Sequence, residues 1–418
     1  MADFGLLDPL SANGSAVDDD VVLAALVEVE SALSTAWGHP VDLSADGLDL
    51  AAGSRDGGNP VIPLVTQLRA QAGDEADWVH RGATSQDILD SALMLVASRA
   101  VATTRESLGM AAQRLADLAD THRHDLMVGR TLATHAAPIT FGTKAASWLD
   151  GVVAALGALE SVDFPVQLAG SVGIGLAFAD LGGDAAALRA AVAEALGLSD
   201  PRRSWQAERS PVVGLASAVA FAVGALGRIA TDVLVLARSE IGEVSEGSGG
   251  SSSAMPQKQN PTTAILIRSA ALQSPGLLAT VHSSLVTEDE RPSGAWHAEW
   301  LALRSLLRLG IEASAAVATM LGSLTVDTAR MLANLELDGG LAWAEHAQSR
   351  LTPDLGRSAA NALVARAIAA VSPELSFGAA LAAELGGGVI DLNGDSVLSA
   401  ADTVVDAALA RLGPKGHA

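Results

Sequence analysis

Long apolar segments with the period of an α-helix limit what this chain can fold into. Residues 85–121 and 211–240 carry apolar side chains every three or four positions through many turns. These segments are far longer than an average helix of about 11–12 residues. Aromatic residues make up only 3% of the 418 residues, and the apolar set is mainly Ala and Leu, which favours close-packed helices over sheets. The pattern therefore predicts an all-α fold with a central bundle of long helices.

Other periodic segments predict the rest of the architecture. Helices are expected near 18–37, 138–159, 262–285 and 296–321, followed by a shorter set from 341 onward. The best strand candidate is the short stretch 127–132. Shifts in the pattern predict an N-terminal helical domain at 1–100, a central long-helix domain at 101–335 and a small helical C-terminal domain at 336–418.

Charge and composition exclude several classes of function. A formal net charge of −22 opposes nucleic-acid binding, and it means that an anionic substrate needs a local cationic pocket. The longest uncharged apolar run, 211–227, is shorter than the roughly 20 residues of a membrane span, so it predicts a buried helix. The N-terminus lacks the basic start and apolar core of a signal peptide, and cysteine is absent. We expect a cytoplasmic protein with neither a nucleic-acid nor a membrane partner.

Residues 247–261 join a small-residue half to a charged half. Positions 247–253 are all Gly or Ser, and Lys258 and Asn260 then stand between Pro256 and Pro261. A loop that can close, carries hydroxyls and ends in a fixed cation suits a site that covers an anionic substrate and moves a proton. The alternative is a Gly/Ser linker. Linkers usually separate regions of different composition, whereas apolar helical pattern flanks this loop on both sides.

The loop resembles a known signature. Its second half reads Ser252-Ser253-Ala254-Met255-Pro256-Gln257-Lys258-Gln259-Asn260-Pro261 and is similar to the signature loop of the fumarase/aspartase superfamily, with Ser251 where that family usually has Gly. The resemblance implies a three-domain helical fold and a homotetramer whose active sites combine segments of three subunits. It also implies a small polycarboxylate substrate.

The same resemblance assigns roles to the loop residues. Ser252 is expected to handle the carbon-bound proton, and Lys258 and Asn260 to stabilise the charge that develops on a substrate carboxylate. Ser253 and Met255 are expected to contact the substrate. The run of three serines leaves open which one is the base.

A second cluster, residues 80–87, lies where the helix from residue 85 is expected to begin. Thr84 or Ser85 can cap that helix, and a helix N-terminus also binds a carboxylate. A plain cap does not explain His80 and Gly82, which fit the superfamily element His-x-Gly-x-Thr-Ser-x-Asp. The resemblance implies that Thr84 and Ser85 bind a substrate carboxylate and that His80 binds substrate or donates a proton. A structural His80 is the alternative.

A third cluster departs from the family pattern. Residues 129–138 resemble the family's Gly-Arg-Thr-His element, but the His that follows Thr131 is replaced by Leu132. In many members that His donates or relays a proton. His135 lies three residues further on and is kept as a candidate catalytic residue, with a structural role as the alternative.

Two further segments indicate substrate contacts and a branch of the family. In the segment 205–209, the resemblance implies that Arg209 is a substrate-facing Arg supplied by a neighbouring subunit, and a solvated helix start is its alternative. Residues 290–300, with Arg291 as a further anion contact, resemble the 3-carboxy-cis,cis-muconate cycloisomerase branch through their Gly-x-Trp-His-Ala-Glu-Trp pattern. That branch implies reversible closure of 3-carboxy-cis,cis-muconate to a carboxymuconolactone.

The chemistry of this branch gives a reason for Leu132. The group that attacks and leaves is a carboxylate of the same molecule, and a carboxylate departs without needing a proton. Other superfamily lyases, such as adenylosuccinate or argininosuccinate lyase, remain alternatives. A non-catalytic helical oligomer is a third possibility, because a fold does not fix a function.

Neither a metal nor a cofactor is expected. His122 and His124 face different sides of a helix, no thiolate is available, and no nucleotide-binding Gly loop is present. We therefore predict that the elimination activity implied by the resemblance survives exhaustive treatment with EDTA. Loss of turnover that a divalent ion restores would reveal a metal site that the sequence pattern missed.

Overall fold

The computed structural model describes residues 9–10, 16–247, 250–251, 255, 258–387, 392 and 394–413. Ser252 and Ser253 lie outside the described residues. The fold is mostly helical, which confirms the predicted all-α class. The α-helices are α1 Asp19–Ala36, α2 Ala51–Gly57, α3 Val61–Ala72, α4 Ser85–Thr121, α5 Phe141–Glu160, α6 Leu176–Asp180, α7 Ala185–Leu196, α8 Ser210–Leu236, α9 Thr262–Ser283, α10 Ala295–Ser323, α11 Thr328–Leu335, α12 Ala344–Leu355, α13 Arg357–Ala370, α14 Phe377–Glu384 and α15 Asp395–Leu412.

Short strands connect some of these helices. They are β1 Leu126–Thr131, β2 Thr134–Thr140, β3 Val244–Glu246, β4 Gly250–Ser251, β5 Gln259–Asn260 and β6 Leu324–Val326. Each pairs antiparallel with one partner: β1 with β2, β3 with β6, and β4 with β5. Short 3₁₀-helices occupy Gly73–Trp78 and Leu341–Trp343.

The long helices follow the sequence pattern closely. The expected helix over 85–121 is α4, with the predicted bounds. Helix α5 begins at Phe141 rather than at residue 138, because 138–140 belong to β2 and pair with β1. Helices α8 and α9 are long and apolar enough to cross a membrane by length and composition, but 61% of the apolar window of α8 is buried within the protein. This burial fits the core helix predicted from the run 211–227.

The chain divides into two compact units. The first contains Met1–Leu108, Ala155–Gly227 and Ser269–Ala315, and the second contains Gly109–Ala154, Arg228–Arg268 and Ala316–Ala418. The boundaries fall within long helices, so each unit collects segments that are distant in sequence. The three consecutive domains expected from the sequence are a different kind of division and stay a prediction.

In the first unit, the loop between the first 3₁₀-helix and α4 carries His80 and Thr84. Helix α1 packs against α7 on one side of this unit and buries Ala25, Leu26, Val29 and Leu33. The loop itself is held by aromatic stacking. His39 stacks on Trp78 with ring centroids 3.5 Å apart, and the Arg81 guanidinium lies 4.5 Å from the centre of the Trp78 ring.

In the second unit, the β1–β2 hairpin lies on the C-terminal helices. Helix α11 packs against β1, and α15 against β2. Val128 joins Trp343, Phe377 and neighbouring apolar side chains in one buried cluster. Arg123 and His124, which follow α4, bind Asp402 of α15 at 3.1 and 2.9 Å and anchor that helix.

Gly142, at the start of α5, provides a test of the packing in the second unit. A Cβ on this residue would lie 2.5 Å from the Cα of Arg123 and 2.6 Å from the carbonyl oxygen of Ala119, both of which are backbone atoms. Gly142→Ala is therefore expected to lower the free energy of unfolding by about 1–3 kcal/mol. Urea denaturation measures this change.

Gly157 is the matched control in the same helix. A Cβ on this residue would have no atom within 4 Å, so Gly157→Ala should raise the free energy of unfolding by about 0.5–1 kcal/mol through helix propensity. Equal effects of the two substitutions would contradict the close contact between α5 and the end of α4.

Candidate active site

Two of the predicted substrate-binding residues, 207 positions apart, meet at the N-terminus of α4. Arg291 donates from Nη2 to the Thr84 hydroxyl at 2.9 Å and from Nε to the amide oxygen of Gln86 at 3.2 Å. Both acceptors are neutral, and among the described residues no carboxylate lies within ion-pair distance of this guanidinium. Arg291 also lies over the Trp296 ring, 5.3 Å from its centre. Ser85, the first residue of α4, is partly exposed beside Thr84.

Asp87 fixes the turn that carries Thr84. Its carboxylate is fully buried and accepts the backbone N–H groups of Thr84, Ala169 and Gly170 at 2.9–3.0 Å. The side-chain amide of Gln167 donates to it at 3.3 Å. Burial raises the pKa of Asp87 to about 6, against the four donors that favour the carboxylate. One buried acid therefore joins the start of α4 to the chain at 169–170.

A buried ion-pair cluster lies behind Thr84 and Arg291. The Arg209 guanidinium is 1% exposed and binds both oxygens of Asp90, at 2.8 and 3.2 Å. It also binds both oxygens of Glu299, one of them through Nε at 3.4 Å. One cation thus faces two acids, and burial raises the pKa of Glu299. We name this set of Arg209, Asp90 and Glu299 the buried triad.

The buried triad is connected to the substrate-side residues through Gln86. The Gln86 amide donates to Asp90 at 3.1 Å and to the Gln206 carbonyl at 2.8 Å, while its oxygen accepts from Arg291. Asp90 also accepts from the indole N–H of Trp296 at 2.9 Å. Arg291 is therefore held in place by a chain of hydrogen bonds that ends in the buried triad.

The triad corrects the role predicted for Arg209. A substrate-facing guanidinium was expected, but every N–H-bearing nitrogen of Arg209 is directed to Asp90, Glu299 or the carbonyls of residues 205 and 206. The side chain is also closed off from solvent, so it holds the protein together instead. The same contacts assign Trp296 and Glu299 of the tryptophan-rich element to the buried frame.

His80 is bound by an acid that the sequence reasoning did not single out. Its ring Nδ1 lies 2.7 Å from Glu30 Oε1, and its backbone N–H donates to Glu30 Oε2 at 2.9 Å. Glu30 belongs to α1 and is fully buried. The backbone of His80 is left-handed, with φ 59°. His80 therefore lies four residues before Thr84 in a conformation fixed by Glu30.

In the second unit, Leu132 lies at the tip of the β1–β2 hairpin. Leu132 and Ala133 form its two-residue turn with φ 49° and 69°, and Leu132 is 100% exposed. Residues other than glycine rarely adopt this left-handed backbone conformation. His135 lies on β2 opposite Arg130, and its Nδ1 is 3.0 Å from Asp338. The hairpin tip itself carries no proton donor in its side chains.

The two ends of the signature loop pair with each other as the short strands β4 and β5. Gly250 pairs with Asn260, and Ser251 with Gln259. Lys258 and Met255 are exposed, and the Lys258 N–H donates to the Met255 carbonyl at 3.0 Å. The Glu246 carboxylate accepts the N–H groups of Thr263 and Ala264 at 3.1 and 2.7 Å and so caps α9. The predicted roles of Ser252 and Ser253 fall outside the described residues.

The structure thus groups His80, Thr84, Ser85 and Arg291 in the first unit. Lys258, Asn260, Met255 and His135 belong to the second. Within the described residues, no group of three or more His, Asp or Glu side chains is placed to hold a metal ion. The residues that sequence reasoning missed are Glu30, Gln86 and Asp90. The signal for Glu30 and Asp90 was an acid among the apolar residues of α1 or α4, whereas Gln86, between Ser85 and Asp87, carried no such signal.

The motifs and the helical frame agree with the comparison to known proteins. The chain matches the family described as lyase over residues 56–276. It belongs to this family, the fumarase/aspartase superfamily. The family resemblance of the signature loop is thereby confirmed.

Named relatives of this lyase include two activities. It is 44% identical to nitrosuccinate lyase of Streptomyces davaonensis over 399 aligned residues. The alignment covers 88% of this chain and 84% of that protein. It is 40% identical to 3-carboxy-cis,cis-muconate cycloisomerase of Pseudomonas aeruginosa over 329 aligned residues. This alignment covers 76% of this chain and 71% of that protein.

A solved structure supports the fold of this lyase. The 3-carboxy-cis,cis-muconate lactonizing enzyme from Pseudomonas putida superposes with a TM-score of 0.86 at 32% identity, over 94% of this chain and 95% of that one. The predicted fold is thereby confirmed.

Asp87 offers a test of how this lyase holds the turn of Thr84, a predicted substrate contact. In Asp87→Asn, the amide NH₂ replaces an oxygen that now accepts two N–H groups, so buried donors lose their partner. We expect the free energy of unfolding to fall by about 2–4 kcal/mol. Urea denaturation measures it, and Asp117→Asn is the control, because Asp117 is an exposed acid of the same helix whose carboxylate accepts from the Gln113 side chain. Equal stabilities of the two variants would contradict the anchoring role.

Proposed function

We propose that this lyase expels a leaving group that departs as a stable anion without being protonated, and that its substrate is nitrosuccinate. A base removes a proton from the carbon beside the one that bears the nitro group. The carbon–nitrogen bond then breaks with its electron pair, nitrite leaves, and an unsaturated dicarboxylate such as fumarate forms. Nitrite is a weak base, so it needs no general acid.

The choice of nitrosuccinate is supported by the 44% identity to nitrosuccinate lyase, and the observation that carries the leaving-group argument is Leu132. The family pattern places a proton-donating His there, and this chain has an apolar side chain at the fully exposed tip of the hairpin. The nearby His135 is paired with Asp338 instead. A site without this acid favours substrates whose leaving group is already a stable anion over those that release an amine.

The cations of the candidate site suit a dicarboxylate. Among the described residues, Arg291 donates only to neutral acceptors, one of which is the Thr84 hydroxyl. The charges of Arg209 and Arg130 are instead balanced by buried acids. An uncompensated guanidinium at a helix N-terminus attracts a carboxylate. Lys258 and Asn260 are proposed to stabilise the charge that develops on the other carboxylate, with Ser252 as the base.

A homotetramer with shared active sites is part of the proposal. Helix α9 exposes large apolar side chains, with Leu272 71% exposed and Ile265 47% exposed, and only 28% of its apolar window is buried. Phe221 of α8 is also half exposed. Apolar faces of this kind support burial against further copies of the chain. We also propose that the protein is cytoplasmic.

The second candidate is cycloisomerisation of 3-carboxy-cis,cis-muconate. It is favoured by the tryptophan-rich element at 294–300 and by the similarity to the Pseudomonas putida lactonizing enzyme. Its leaving group is an internal carboxylate, which also needs no acid. The position of Leu132 therefore supports both reactions and disfavours amine-releasing lyases.

One assay separates these functions. The purified protein is incubated with nitrosuccinate, 3-carboxy-cis,cis-muconate, adenylosuccinate and argininosuccinate, while nitrite release and ultraviolet absorbance are followed. We expect the highest kcat/KM with nitrosuccinate; a higher value with the muconate would establish the second candidate. Preferred turnover of adenylosuccinate or argininosuccinate would overturn the leaving-group argument.

Variants of the loop test its proposed chemistry on the preferred substrate. Ser252→Ala should lower kcat about a hundredfold or more with little change in substrate binding, and Lys258→Ala should weaken both. Ser253→Ala is the internal control and should tolerate the change better than Ser252→Ala, because a substrate contact is easier to lose than the base. The reverse order of the two serines would shift the assignment by one position, and near-normal turnover in both would refute a serine base.

A further inference from the structure

We infer that Glu30 is a positioning residue that holds the ring of His80 with Nδ1 protonated and leaves Nε2 for the substrate. This inference rests on the proposed function, because it gives His80 a part in the reaction. It adds a residue of α1, far from every motif that identified the family, to the machinery of the site.

The contact is built from both oxygens of one buried carboxylate. Glu30 Oε1 lies 2.7 Å from the ring Nδ1 of His80, and Oε2 accepts the backbone N–H of the same residue at 2.9 Å. Among the described residues, these are the only hydrogen bonds of the Glu30 side chain. A carboxylate removed from water in this way needs the Nδ1 proton as its partner.

Other His–carboxylate pairs in the described chain lack this burial. The acids that face His122, His124 and His135 have side chains 37%, 39% and 55% exposed, whereas that of Glu30 is 0% exposed. Water competes for the exposed acids and weakens their hold on the ring. Glu30 has no such competition, so it can fix both the orientation and the tautomer of His80.

The backbone gives an independent sign of a constrained residue. His80 adopts φ 59°, a left-handed conformation found in only a few per cent of residues other than glycine. Gly82 follows with φ 78°, and a Cβ there would lie 2.6 Å from the Phe178 ring. Unfavourable backbone geometry of this kind concentrates at functional sites and persists only where surrounding contacts impose it. The two hydrogen bonds to Glu30 are such contacts.

The chemical consequence concerns the second ring nitrogen. With Nδ1–H directed to Glu30, Nε2 is the only ring atom left to accept or transfer a proton, or to bind a substrate carboxylate when the ring is charged. Without the acid, the ring can rotate or exchange tautomers, and the productive atom is present for only part of the time. Glu30 thus acts on the reaction through His80 alone.

A double-mutant cycle tests this dependence. Glu30→Gln keeps the size of the side chain and an acceptor for the backbone N–H, and it should lower kcat/KM about 10- to 100-fold on the substrate that the wild type prefers. His80→Ala should lower it at least as much. In the His80→Ala background, Glu30→Gln should have no further effect, whereas multiplied losses would show that Glu30 acts independently and would overturn the inference.

Glu28→Gln is the matched control. Glu28 lies on the same helix, two residues before Glu30, but it pairs on the surface with Arg99 at 2.7 and 2.9 Å. Its kcat/KM should stay within about twofold of the wild type, as expected for an exposed ion pair of small energetic weight. A loss equal to that of Glu30→Gln would point to a general effect on α1 and refute the specific role.

A measurement without substrate separates this inference from the proposed function. In protein labelled with ¹⁵N-histidine, the resonances of His80 are identified by their absence from His80→Ala. The inference requires a protonated Nδ1 in the wild type and a loss of that preference in Glu30→Gln. A ring protonated at Nε2 alone overturns it, while failure to turn over any substrate refutes only the proposed function.

Discussion

The buried triad of Arg209, Asp90 and Glu299 is the interaction on which the rest of the first unit depends. It joins the residue before α8 to α4 and α10, where apolar packing alone would not fix the helices in register. Three charged groups removed from water are tolerated only as long as they pair, so loss of one member would cost about 3–5 kcal/mol. Asp90 also accepts from Trp296 and from Gln86, so the position of Arg291 at the α4 N-terminus derives from the same cluster.

The predicted site residues of this unit are held in a common way. Thr84 is held by Asp87, His80 by Glu30, and Arg291 through Gln86 by Asp90. In each case, a buried acid or amide takes up the donors of the frame and leaves the outer group oriented. The acidic character of the chain, with a net charge of −22, is thus partly directed inward, where it holds cations and N–H groups that can meet an anionic substrate.

The tip of the β1–β2 hairpin, in the second unit, bears on the choice of reaction in the proposed function. A superfamily site eliminates a group beside a carboxylate, and the acid is the component that decides which leaving groups are possible. Leu132, where the motif resemblance places that acid, lies on a left-handed turn, and His135 is held by Asp338. The leaving-group part of the proposed function rests on this single replacement, because nitrite and an internal carboxylate both depart unprotonated. The same replacement does not distinguish the two, since neither reaction asks for a donor at this position.

The sequence by itself determined the helical fold and the family. Helical period gave α4 its bounds, and local motifs identified His80, Thr84 and Lys258, because periodicity and turn chemistry act over a few residues. Only the tertiary structure decided that Arg209 is a buried ion-pair partner, that Arg291 meets Thr84 and that Glu30 binds His80. These contacts join residues 50 to 207 positions apart. Burial and pairing of that range arise when helices pack, and no local pattern in the chain encodes which polar side chain faces which.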